Sequence, residues 1–133
     1  MVLPDVNVLI YAFRPEMPEH PRCRQWLQNI VDDESRFGIS PLSLRALVRV
    51  TTNRRTWKEP SSLEDAFKFA DYLLSQPLCQ IAEPRERHWD IFKRLCVDTD
   101  TRGPRVTDAW YAALAIEWSC EWVTLDRDYA RFP

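Results

Sequence analysis

At 133 residues the chain has length for one proper core, and it reads as a single domain over 1–133. An apolar fraction of 45% and a charged fraction of 29% belong to an ordinary soluble globular protein, with no apolar run near the roughly 20 residues a membrane helix needs. The formal net charge of −2 excludes nucleic-acid binding by bulk positive charge, so a polyanion would have to be met by a local patch.

The chain opens on a short buried strand, residues 1–4, with no basic run before its apolar residues and hence no signal-peptide pattern. Pro4 cannot donate a ladder hydrogen bond and is best placed as the last strand residue. Asp5-Val-Asn7 is a turn, and an apolar helix follows over 8–13. A proline-rich loop (Pro15, Pro18, Pro21) leads to an amphipathic helix over 22–33, where Cys23, Trp26, Leu27, Ile30 and Val31 recur at helical spacing. The acidic run after it, Asp32 to Glu34, reads as a solvated loop.

A second strand over 36–39 precedes Ser40-Pro41, a cap followed by proline that starts a helix. Arg45 and Arg49 are four apart and share one face of that helix. The stretch from 45 to 58 carries Arg45, Arg49, Arg54, Arg55 and Lys58 and no acid. With Trp57 among them, this patch suits either a nucleic-acid backbone with one stacked base or a protein partner. Ser61-Ser-Leu-Glu64 has the capping-box pattern and starts a helix over 62–75. A third strand over 79–82, a helix over 85–97 and a polar loop over 98–104 follow. Asp98 and Asp100 are read as solvated in that loop, and His20 and His88 as structural or surface residues.

The last stretch is the densest. Thr107 is read as an N-cap, with Asp108 in the first turn, where the helix dipole favours negative charge. Ala109 to Ser119 is apolar nearly all round, which marks a central helix. Trp122 to Leu125 suits a strand covered on both faces, and Asp126-Arg-Asp128 follows at once. Strands alternating with helices imply parallel pairing with helices on both faces, an α/β sandwich.

Asp5, Asp108 and Asp126 therefore fall at one predicted edge of the sheet, the edge where open α/β sheets bind ligands. Each has a plain alternative reading as a cap or turn residue. Taken together, clustered carboxylates repel unless a cation or protons neutralise them. A hard divalent ion suits an all-oxygen set, and such an ion activates water and stabilises phosphoryl charge. The residues alone thus point to a metal-dependent phosphodiesterase, a nuclease ahead of a small-molecule phosphatase. The widely spaced Cys23, Cys79, Cys96 and Cys120 form no CxxC and are expected to be reduced thiols of a cytoplasmic protein.

Three stretches also resemble a known family: Asp5-Val-Asn-Val-Leu-Ile-Tyr-Ala-Phe13, Val106-Thr-Asp-Ala-Trp-Tyr-Ala-Ala-Leu-Ala115 and Thr124-Leu-Asp-Arg-Asp-Tyr-Ala-Arg-Phe132. Arg49-Val-Thr-Thr-Asn53 is similar to a weaker motif of the same family. In this order and spacing they resemble the PIN-domain ribonucleases, specifically VapC-type toxins of bacterial toxin–antitoxin pairs. The resemblance implies a three-layer α/β/α sandwich with a mainly parallel sheet, and cleavage of RNA with Mg2+ (Mn2+ is the alternative ion). It also implies homodimers and inhibition by a cognate VapB-type antitoxin. By motif position Asp5, Asp108 and Asp126 are the metal-site and catalytic acids and Asp128 a supporting acid. Asn7 and Thr124 would orient the carboxylates, as outer hydrogen-bond partners commonly do.

One departure stands out. Where many members carry a Glu on the helix after the second strand, this chain has Ala46. Glu117 lies nine residues past Asp108, about two and a half turns along the helix, and should point elsewhere. Weaker metal binding is the expected consequence, recovered once substrate phosphate supplies a ligand. A catalytically weak RNA- or protein-binding module is the competing reading.

Overall fold

The computed structural model describes residues 1–132. Ten regular elements alternate along it: β1 (Val2–Pro4), α1 (Val6–Phe13), α2 (His20–Asp32), β2 (Phe37–Ile39), α3 (Pro41–Thr51), α4 (Leu63–Leu74), β3 (Cys79–Ile81), α5 (His88–Thr99), α6 (Val106–Glu117) and β4 (Glu121–Val123). Short 3-10 turns occupy Gly103–Arg105 and Arg127–Arg131.

The strands form one sheet in the order β3-β2-β1-β4, with every pairing parallel. Parallel strands need crossovers, and each is made by helices. Alternation along β1 separates two layers. Val2 packs into the core built by α1 to α4, which centres on Leu9, Leu27, Phe37, Ile39, Leu47 and Leu73. Leu3 points the other way, against Ala82, Leu114 and Ala115. Helices α5 and α6 close that second layer around Leu95, Ala109, Ala112 and Ala113. Gly38 in β2 serves this interleaving, because a Cβ there would stand 3.2 Å from the Leu3 Cδ1. Pro4 ends β1 beside Val123, and the N–H of the next residue, Asp5, continues the ladder to the Val123 carbonyl at 2.8 Å.

Several boundaries depart from the sequence expectations. The cap of α4 is Ser62, whose hydroxyl accepts from the Asp65 N–H, and Ser61 instead accepts from Arg14. Thr107 lies inside α6 and caps nothing, because the 3-10 turn at Gly103–Arg105 runs straight into that helix. Asp98 belongs to α5, though it is solvated as expected. Helix α5 starts three residues late because the segment before it is held by Glu117, whose two carboxylate oxygens accept from the Arg85 and Arg87 N–H groups at 2.7 and 2.9 Å. His20 and His88 are structural, bonding the Tyr11 and Trp110 carbonyls, and all four cysteines are free thiols. Among the described residues no helix is long and apolar enough to cross a membrane.

Candidate active site

The site is built where β1 and β4 end side by side. Asp5 caps α1: its Oδ1 accepts the Val6 N–H at 2.6 Å, and its backbone is extended. Its Oδ2 accepts the Thr124 hydroxyl at 2.6 Å. The Thr124 Oγ1 in turn accepts the Asn7 Nδ2 at 3.3 Å and the Asp126 N–H at 3.0 Å. The Leu125 N–H donates to Asn7 Oδ1 at 3.4 Å. One hydroxyl therefore joins the first turn of α1 to the turn after β4; Thr124 bonds the Asp5 carboxylate directly, whereas Asn7 reaches it only through Thr124. Asp126 caps the 3-10 turn by accepting the Asp128 N–H at 2.9 Å.

Asp108 sits in the first turn of α6. Its Oδ2 lies 3.4 Å from the Arg131 Nη2. The carboxylates sense one another. Burial above all pushes the Asp5 carboxyl above its ordinary value; the Thr124 hydroxyl and Val6 N–H draw it back, and Asp126 and Asp108 push it further up. Burial, then Asp126, likewise raises Asp108, while Arg131 and the Tyr129 phenol lower it. Tyr129 is raised far above the usual phenol range, chiefly by burial and then by Asp5 and Asp108, so it remains a donor at any working pH. Among the described residues no group of three or more His, Cys, Asp or Glu side chains is arranged to hold a metal ion; Asp108 is paired with a guanidinium instead.

The basic patch divides. Arg45 and Arg49 are exposed on α3 and line a hollow of about 370 Å³ together with Leu42, Ala46, Thr107 and Tyr111. Tyr111 feels Asp5 as well as both arginines, so these two charges reach the acidic edge. Arg54 and Arg55 are exposed further along the chain. Among the described residues none of the four forms an ion pair. Trp57 is not free to stack a base: its indole N–H donates to the Val50 carbonyl at 2.8 Å and the Arg14 guanidinium covers its ring. Ala46 leaves the hollow without a carboxylate, and Glu117 is fully engaged on the far layer.

Tyr129 and Arg131 are the site residues that sequence reasoning missed. Both lie in the Asp126–Phe132 stretch, but nothing local says that they fold back onto α6.

A parallel α/β/α sandwich with carboxylates at its carboxyl edge is an arrangement suited to metal-dependent phosphoryl chemistry. The PIN domain profile matches residues 2–133. Ribonuclease VapC43 of Mycobacterium tuberculosis is 40% identical over 132 residues, 99% of this chain and 90% of the relative. Ribonuclease VapC25 of the same organism is 38% identical over 132 residues, 99% of this chain and 93% of the relative. Among solved structures, VapBC2 of Rickettsia felis, bound to a DNA fragment from its promoter, matches with a TM-score of 0.72 at 18% identity, covering 100% of this chain and 94% of that one. M. tuberculosis VapC20, described as a sarcin-ricin loop cleaving toxin, matches with a TM-score of 0.72 at 13% identity, over 98% and 93%. The chain belongs to the PIN-domain family, and within it to the VapC ribonucleases.

Proposed function

We propose that the chain is a metal-dependent endoribonuclease that acts as a toxin and is silenced by a cognate VapB-type antitoxin. The observation that carries this is Asp5: a buried carboxylate at the carboxyl edge of the sheet, hydrogen-bonded from Thr124 across 119 positions and pushed further up by Asp126 and Asp108. Full-length relatives named as ribonucleases support the same reading.

Asp5, Asp108 and Asp126 would hold the cation. The donor set is all oxygen; burial chiefly raises Asp5 and Asp108, and the acids' mutual repulsion adds to it, which a dication relieves. Mg2+ suits such hard donors, and Mn2+ takes the same set. When bound, the ion supplies charge for the phosphoryl oxygens and an activated water. The chain's own groups do the rest. Thr124 and Asn7 keep the Asp5 carboxylate aimed, Tyr129 stays a neutral donor beside Asp108, and Arg45 and Arg49 hold the RNA backbone on the flank. Hydrolysis forms a new P–O bond from water and breaks the bond to one ribose oxygen, which leaves with a proton.

Other features fit a toxin's life. Leu63, Phe67 and Leu74 are exposed along an apolar groove between α3 and α4, with Arg45 and Arg49 on its rim. A patch of this kind is a surface for a partner, here the antitoxin or a second copy in a homodimer. A reducing cytoplasm suits four free thiols.

The second reading, a weakly catalytic binding module, draws on one observation, the carboxylate-free hollow at Ala46. Purified protein incubated with a pool of structured and unstructured RNAs, with Mg2+, with Mn2+ and with chelator, decides between them. Discrete metal-dependent cuts lost in Asp108→Asn establish the nuclease. Absence of cutting in folded protein under either metal favours the module.

A further inference from the structure

Arg131 is held over the first turn of α6 by its neighbours. Tyr129 packs on Trp122 with ring centroids 5.3 Å apart, and Phe132 lies 6.2 Å from Tyr129. The guanidinium is stacked over the Phe132 ring at 4.8 Å, and the side chain is only 22% exposed. Its donors are poorly used. Its one carboxylate contact, from Nη2 to Asp108, is 3.4 Å long, well beyond the roughly 2.7–2.9 Å of a strong charge-assisted bond. Its Nε is buried and has no partner. A buried donor left unmet is costly, and a planar fork of donors matches a phosphate better than a single carboxylate oxygen.

We propose that Arg131 is a phosphate-holding residue with two alternating partners: Asp108 in the free protein, and a backbone phosphate of RNA when the site is loaded. This rests on the ribonuclease reading above. In the free state the guanidinium neutralises Asp108 and competes with a cation for it. When RNA arrives, the fork turns to the phosphate and Asp108 is released to the metal. Cation and substrate then enter together, which suits a site one acid short at Ala46.

The two partners give effects of opposite sign. In RNA-free protein, Arg131→Gln should tighten Mn2+ binding about twofold to fivefold, the worth of one partly exposed ion pair. The same substitution placed in an Asp108→Asn background should leave Mn2+ binding unchanged, because the competitor has nothing left to compete for. In that uncleaving background and without metal, it should weaken binding of a single-stranded RNA oligonucleotide and lower the log–log salt slope by about one ion. Spin-resonance titration reads the first two effects and fluorescence anisotropy the third. Mn2+ affinity that stays constant or falls in Arg131→Gln overturns the proposal, as does an RNA salt slope that does not move. A guanidinium that only packs would weaken both ligands or neither. None of these readouts needs turnover, so failure of the nuclease reading is seen separately in the cleavage assay.

Discussion

Among the described residues two carboxylates are almost wholly buried, Asp5 at 5% exposure and Glu117 at 6%, and they are finished in different ways. Glu117, at the last turn of α6, spends both oxygens on the N–H groups of Arg85 and Arg87. It closes a segment whose backbone has no ladder partner, and its surroundings ask nothing more of it. Asp5 also accepts two hydrogen bonds, yet it lies in the field of Asp126 and Asp108. A buried acid surrounded by N–H donors is architecture. A buried acid with other acids nearby is, on the reading proposed above, a place for positive charge. The same helix, α6, carries one kind at its end and helps build the other at its start.

The largest expected effect tests the second kind. Asp5→Asn should keep the Val6 cap, since the amide oxygen still accepts, but should cost cleavage about 10³-fold, near the upper end for a group that acts on transition-state charge. Single-turnover kinetics beside a urea titration would check this; cleavage within tenfold of wild type would erase the distinction between the two acids. Next comes Glu117→Ala. It removes the carboxylate that two half-buried N–H donors share and should cost about 1–3 kcal/mol of unfolding free energy, read as a fall in the urea midpoint. Activity of the protein that remains folded should stay within about threefold.

Thr124→Val blurs the two categories and is smaller. It removes the hydroxyl that gives one hydrogen bond and accepts two. It should cost about 1–2 kcal/mol in stability and about 10- to 100-fold in cleavage or metal affinity, with the activity loss exceeding the stability loss in relative terms.

The smallest effect is in pH. Asp5 and Asp108 are both raised by folding. Native protein therefore holds protons that the unfolded chain has released, and the stability this gives is fully present below the unfolded carboxylate values and lost as pH rises through the folded ones. Metal-free protein should gain stability on mild acidification from neutral pH, through these two groups. Asp126→Asn, which removes a charge raising both, should shrink that gain. Denaturant midpoints measured across the acid range, wild type against variant, report it; an equal gain in both proteins would mean that the acids do not sense one another.

Much of this was legible in the chain. The placement of the three acids beside strand ends and a helix start, and the strand-to-helix order, follow from short-range rules: caps, buried runs and the carboxyl edge of a parallel sheet; the orienting roles of Asn7 and Thr124 came only from the family resemblance. That Glu117 would point away from Asp108 followed from helical pitch alone. What escaped depended on distant partners. Trp57 looked like a free stacking residue until Val50 and Arg14 claimed it. Thr107 looked like a cap until the preceding turn ran on into the helix. Arg131 and Tyr129 act on α6 only because the turn after β4 folds back over it, and no local pattern carries that information.

The hydroxyl of Thr124 reaching Asp5 has one more consequence, which concerns time. A polypeptide made from its amino end presents Asp5 long before Asp126. Until β4 is added beside β1, Asp5 has neither its orienting hydroxyl nor its neighbouring acid, and Asp108 lacks Arg131. On the ribonuclease reading the carboxylate set is therefore incomplete until β4 pairs with β1, so the site forms only as the sheet closes.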